Sequence, residues 1–166
     1  MKKLCAILTI LLLGFLSCKK DSGFGLEIYL LKGYQIKPSS QEIIAGSEKL
    51  SKNPVIYYHN VIYYDSTNHY FKIDSLKAVE LNRTNWTTQG TPFALTIDKH
   101  IIYSGYFVPG YSSSGCGWFC IDPLSFNEQI RVTLGYPGDR QELIPIDPRN
   151  DARIISCLKT DNKLNH

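Results

Sequence analysis

Apolar positions along most of this chain recur with a spacing of two. From Gly25 the sequence reads GLEIYLLKGYQI, which puts Leu26, Ile28 and Leu30 on one side of an extended segment and Glu27, Tyr29 and Leu31 on the other. Similar β-rich pieces fall at 55–58, 61–64 and 70–73, with Asp65 to Asn68 as the turn between the last two. TPFALTIDKHIIYSGYF carries the strongest signal: Phe93, Leu95 and Ile97 run into an Asp98-Lys99 corner, and Ile101 and Tyr103 begin the return of a hairpin. Asp-Lys lacks the glycine of the strongest two-residue turns, so a longer loop that includes His100 stays open. Ser104 and Gly105 mark a bulge, and strands at 118–121 and 129–134 flank a turn at Asp122 and Pro123.

Two stretches break this rhythm in favour of helix. SLKAVELNR places Leu76, Val79 and Leu81 on one broad face over residues 75–83, and Asp74 or Ser75 supplies the oxygen that caps its first turn. DARIISCLK gathers Ile154, Ile155 and Leu158 on an apolar side, with Lys159 near the negative end of the helix dipole. Residues 41–54 read as a long connection or a very short helix, Pro109 to Gly117 as a mobile loop, and the tail NKLNH as frayed. Six or seven strands and two helices predict one α+β domain over residues 25–166. Its architecture is an antiparallel or mixed sheet with two short helices packed on it, with a β-sandwich as the alternative.

The amino terminus has a different character. Lys2 and Lys3 precede an apolar run from Leu4 to Leu16. As a helix this run rises about 20 Å, short of the roughly 30 Å hydrocarbon core of a bilayer, so residues 1–17 read as a signal peptide. The following FLSCKKD resembles the bacterial lipoprotein signal, although Phe15 stands where leucine is usual. The resemblance implies that Cys18 is lipidated and becomes the first mature residue, with 18–24 as a flexible tether. It further implies an outer-membrane lipoprotein, periplasmic or surface-exposed, that touches the membrane through its lipid. The charged run behind the cysteine is similar to the export signals of surface lipoproteins in Bacteroidetes.

Further inward, YYDSTNHYFKI, DSLKAVEL, GTPFALTIDKHIIYSGYF and DPRNDARIISCLKTDNKL look like segments of uncharacterised Bacteroidetes lipoproteins. The strand, helix and hairpin order over 69–107, with LEIYLL before it, is distantly similar to the periplasmic head of the protein-export component SecD. That likeness implies an α+β fold and carries no active site.

Composition narrows the function classes. In 166 residues, 43% hydrophobic content with 11 Tyr, 7 Phe and 2 Trp excludes disorder throughout. A formal charge of +3 with no basic stripe argues against nucleic acid, and no nucleotide-binding glycine signature or nucleophile elbow is present. Beyond Cys18, Cys116, Cys120 and Cys157 are an odd number for an oxidising compartment and are the candidates for one disulfide. A local Cys116 to Cys120 bridge and a bridge from Cys157 to either are both open, because a straight strand over 116–120 would hold the first pair about 13 Å apart. The C-x₃-C spacing is not a redox motif, and no ligand spacing predicts a metal or cofactor.

The concentration of rings at Tyr106, Phe107, Pro109, Tyr111, Trp118 and Phe119 is the most conspicuous recognition surface, with Tyr106, Tyr111 and Trp118 as its ligand-binding candidates. Serines 112–114 could act as nucleophiles only if His59, His69 or His100 stood beside them with Asp65, Asp74 or Asp98 behind. Asp122 and Glu128 form the nearest carboxylate pair, and no catalytic residue is assigned. The expectation is a lipid-anchored, non-catalytic envelope or cell-surface protein that binds a protein or a glycan. A secreted-type hydrolase and a purely structural accessory lipoprotein are the alternatives.

Overall fold

The computed structural model describes residues 25–124, 126–140, 144 and 146–165. The signal segment, Cys18 and the tether lie outside the described residues. The strands are β1 (Leu26–Gly33), β2 (Lys49–Leu50), β3 (Val61–Asp65), β4 (Tyr70–Ile73), β5 (Thr91–Ile97), β6 (His100–Phe107), β7 (Cys116–Ile121), β8 (Gln129–Tyr136) and β9 (Leu164–Asn165). The helices are α1 (Ser75–Arg83) and α2 (Ala152–Thr160). The strands form one mixed sheet in the order β2-β1-β5-β6-β7-β8-β4-β3-β9. Two pairs are parallel, β6 with β7 and β3 with β9.

Inward-facing residues from β1, β3, β4, β5, β6, β7 and β8 belong to a single buried cluster that includes Leu26, Tyr64, Phe71, Phe93, Phe107 and Val132. Distant strands of one sheet can share a core only if the sheet curls on itself. The helix α2 spans the closure, packing on β1, β5 and β9. A second cluster covers the outer face of the β1-β5-β6-β7 region and contains Leu31, Ile43, Ala94, Tyr106, Cys116 and Cys120.

A mixed sheet with two short helices is therefore what forms, but the balance differs from a sheet with helices packed on it. Each helix has nine residues and sinks only a few side chains, Lys77, Ala78 and Leu81 from α1 and Ile154 and Leu158 from α2. Most of the core is sheet against sheet, so the fold fits the β-sandwich alternative better than the α+β description.

Local chemistry accounts for the elements. Asp74 caps α1 by accepting the Lys77 N–H, and Asp151 does the same for α2 through Arg153 N–H. The Asp98-Lys99 corner is a two-residue turn, since Ile97 pairs with His100 and both corner residues have positive φ (49° and 65°). Asp98 Oδ1 accepts the Gly25 N–H at 2.6 Å, which binds the start of β1 to the turn. The β5–β6 bulge lies at Ile101 to Tyr103 instead of Ser104-Gly105. Residues 55–58 do not form a strand: Ile56 makes an isolated bridge to Ile28, and Tyr58–Asn60 is a short 3-10 turn. The expected fraying of the tail is confined, because Leu164 and Asn165 pair with β3.

Candidate functional site

The site arises where the sheet fails to zip. β6 pairs with β5 along its whole length, yet its ladder with β7 holds only Tyr106↔Cys120 and Phe107↔Ile121. Among the described residues, β6 before Tyr106 therefore has a strand neighbour on one side only. β7 departs from regularity in the same region, with three steps from Cys116 to Phe119 set against two from Tyr136 to Leu134 on β8. The extra residue is a bulge at Gly117-Trp118.

Trp118 fills the opening. Phe119 enters the main core, whereas the half-buried Trp118 packs against both clusters. Its indole Nε1–H donates to the Ser104 carbonyl at 2.9 Å, so a side chain supplies a bond that a ladder partner would otherwise make. The pivot lies one residue later at Gly105. A Cβ there would stand 2.3 Å from the Phe119 carbonyl oxygen, so only glycine allows the two backbones to approach at the point where pairing starts.

Along the unzipped part runs a cleft of about 790 Å³. Ile43, Ile101, Ile102, Trp118, Ile144 and Ile146 make its lining mainly apolar. One wall, the 146–150 strap, is fixed by the buried Arg149. Its guanidinium donates to both Asp147 oxygens, to Asp139 Oδ1 at 3.1 Å and to the Val132 carbonyl at 3.2 Å. Behind the strap the Tyr64 hydroxyl meets the Arg149 carbonyl at 3.0 Å and His69 Nδ1 at 3.1 Å. Burial, and then the Arg149 charge, hold the His69 imidazole below its ordinary pKa and hence toward the neutral form.

Polar groups in the cleft are few and placed. Glu48 Oε1 accepts the Ser104 hydroxyl at 3.1 Å, and its other oxygen accepts Gly46 N–H at 2.7 Å. Lys99 and His100 also line it, as do Lys37 and Glu42, which pair with each other. Tyr103 also lines the cleft. Its hydroxyl is buried and has no hydrogen-bond partner among the described residues, and desolvation pushes its pKa well up.

The three sequence candidates separate. Trp118 lines the cleft. Tyr106 is buried in the outer cluster, edge-on to Tyr34 at 6.3 Å, and Tyr111 is 60% exposed with its hydroxyl donating to the Trp86 carbonyl. The loop that carries Tyr111 is pinned: Ser112 Oγ donates to the Thr88 carbonyl at 2.6 Å, Gly110 N–H reaches Asp122, and the Tyr136 hydroxyl reaches the Gly110 carbonyl. Of the other cleft residues, Phe119 belongs to the ring surface expected from the sequence and His100 to the catalytic alternatives. Isoleucines at 43, 101, 102, 144 and 146 were not site candidates, and only pairing register reveals the gap they surround.

The catalytic alternatives find their residues in structural work. Asp65 closes the β3–β4 turn, Asp74 caps α1 and Asp98 holds Gly25. His59 stacks on Tyr57, His69 bonds Tyr64, and among the described residues no serine hydrogen-bonds a histidine. No group of three or more His, Cys, Asp or Glu that could hold a metal ion occurs among the described residues. All three cysteines there are free thiols. Cys157, on α2, lines a surface hollow with Gly25 and Asp98, whereas Cys116 and Cys120 lie in the outer cluster. No helix among the described residues is long and apolar enough to cross a membrane. No known protein family, curated protein or solved structure matches the chain.

Proposed function

We propose that this is a lipid-anchored, non-catalytic protein of the bacterial envelope that binds an apolar segment of another envelope protein in the β6–β7 cleft. The observation that carries the binding role is the unzipped seam, where a mainly apolar cleft runs beside a strand edge that has no neighbour among the described residues. Concave apolar surfaces with a few convergent polar groups are the usual form of binding sites. Branched aliphatic side chains predominate over flat rings here, which favours protein side chains over the sugar faces of a glycan. Anchoring follows from the lipoprotein-like signal ending at Cys18.

A photo-crosslinking amino acid placed at Ile146, which lines the cleft and is 76% exposed, tests the binding role in the native envelope. Phe126, 81% exposed and away from the cleft, is the control position. A discrete adduct from position 146 that is absent from position 126 is expected, and equal or absent adducts overturn the reading. Anchoring is tested separately by Cys18→Ser, which should move the protein from the detergent phase to the aqueous phase.

A further inference from the structure

We propose that the cleft takes its partner by strand addition, and that the segment taken is an unbroken run of branched aliphatic residues with a carboxylate at the Lys99 end and a cation at the Glu48 end. This rests on the reading of the cleft as a site for another envelope protein, and specifies what that protein presents.

The extended form of the segment follows from the register of β6. His100 pairs with Ile97 across the two-residue corner, so its backbone groups face β5. Alternation then turns the Ile101 N–H and C=O to the other side, toward the cleft that Ile101 lines. Ser104 marks the same side farther along, since its carbonyl receives the Trp118 indole N–H at 2.9 Å. From Ile101 to Ser104 no described strand pairs with that edge. A segment laid there gains main-chain hydrogen bonds at Ile101, in the way a sheet edge takes up an extended peptide.

The unbroken apolar run follows from the two walls. Side chains of an added strand point alternately to its two faces. Ile43 and Ile101 belong with the outer cluster, and Ile102 and Ile144 with the main core, while Trp118 packs against both. All five line the cleft. A strand covered on both faces carries apolar residues at consecutive positions, not at alternate ones.

The flanking charges follow from what the cleft leaves uncompensated. Its acidic and basic lining residues are Lys37, Glu42, Glu48, Lys99 and His100. Lys37 and Glu42 cancel as an ion pair. Glu48 accepts hydrogen bonds from Ser104 and Gly46, and among the described residues neither Glu48 nor Lys99 has an ion-pair partner. Lys99 precedes His100 at one end of the open edge, and Glu48 is bonded to Ser104 at the other. The edge from His100 to Ser104 is matched by three steps of β5, Ile97 to Ala94, which is about 10 Å. Charges that far apart are separated by about a Debye length, so each is free to be met by a charge of the partner. The span sets the partner's two charged residues about two to four apolar residues apart.

The test uses the full-length protein in the native envelope, with the photo-crosslinking amino acid at position 146. The adduct is digested and the partner peptide sequenced by mass spectrometry. It should show the aliphatic run with Asp or Glu on one flank and Lys or Arg on the other. Lys99→Gln and Glu48→Gln, the latter keeping an acceptor for Ser104, should each lower the adduct yield about two- to fivefold, the range of an exposed ion pair. A partner segment without the two charges, or undiminished yield from variants with the wild-type urea midpoint, overturns the charge pattern and leaves the binding role of the cleft in place. Absence of any adduct overturns both. A synthetic peptide of the mapped sequence should also slow amide hydrogen exchange at Ile101, and unchanged exchange there with the peptide bound overturns strand addition.

Discussion

Arg149→Met tests whether the cleft wall depends on one buried cation. The side chain is 5% exposed and its donors serve Asp147, Asp139 and the Val132 carbonyl. Methionine keeps much of the volume and no donor. Removing one partner of a fully buried ion pair costs about 3–5 kcal/mol, because the other charge is left uncompensated. Here the Asp147 and Asp139 side chains remain 28% and 37% exposed, so water recovers part of that loss. The Val132 carbonyl loses its guanidinium donor and adds about 1 kcal/mol. The expected net cost is about 2–3 kcal/mol, read as a lower urea midpoint at unchanged slope. Arg149→Lys keeps the charge but not the planar fork, and should cost about 1–2 kcal/mol. A loss under about 0.5 kcal/mol for the methionine variant would refute the reasoning, since it would mean that the cluster is no better than its hydrated parts.

The same variant carries a pH signature. Burial raises the Asp147 carboxyl, but the Arg149 hydrogen bonds and charge outweigh it and hold the group below its ordinary 3.8. A carboxyl whose folded pKa lies below the unfolded one contributes stability that is complete above pH 3.8 and is lost as pH falls through the folded value. Wild type should therefore lose stability on acidification more steeply than Arg149→Met. Parallel losses between about pH 4 and pH 2 would place the acid sensitivity elsewhere.

Three other substitutions probe the seam and its support. Trp118→Ala should cost about 2–4 kcal/mol, because a half-buried ring that packs on two clusters is removed together with its bond to Ser104; the emission of the remaining Trp86 reports unfolding, and a cost below about 1 kcal/mol would deny Trp118 its wedge role. Gly105→Ala should cost about 2–3 kcal/mol, since its Cβ meets backbone, which cannot rotate away; an unchanged melting temperature would show that the close approach does not hold β6 to β7. His69 is held neutral by burial and Arg149, and its folded pKa lies below 6.5, so stability is complete above that pH and falls as the unfolded chain takes up a proton below it. His69→Gln should flatten the change in urea midpoint between about pH 7.5 and pH 5.5, and an unchanged slope would sink the assignment.

Elements with a local cause were legible from the chain. The helix over 75–83 follows from Asp74 as cap and from the helix formers behind it, and the β5–β6 hairpin follows from alternation across Asp98-Lys99. What escaped depends on partners far away in sequence. The bulge at Ile101 to Tyr103 shows only in register against β5, and β7 starts at Cys116, before the predicted residue 118, because Tyr136 is there to pair with it. The expected mobility of 109–117 came from glycine and serine content. Composition measures how many conformations are allowed locally, whereas the Thr88 and Trp86 carbonyls that hold Ser112 and Tyr111 come from a segment more than twenty residues away. Trp118 was legible as an aromatic that needs cover, but the cleft it lines was not, because a cleft made by absent pairing leaves no local mark.

The position of that cleft follows from the connection between β6 and β7. Parallel neighbours ordinarily need a crossover of about a dozen residues or more, because the chain must return to the starting end of the first strand. Only residues 108–115 are available here. Gly110, Tyr111 and Ser112 stay at the far end of β6, held by Asp122, Trp86 and Thr88, which leaves few residues for the return. β7 consequently meets β6 over its last residues only, while its first residues pair with β8 alone. The sheet must split on the side of β6 that precedes Tyr106, and the sequence answers the split with one large side chain able both to fill space and to donate a hydrogen bond. Trp118 satisfies Ser104 at the neck, but one side chain cannot cover the strand edge from His100 to Tyr103. The cleft is therefore what remains when a short parallel connection is repaired at one point, and its apolar lining lies where that repair ends.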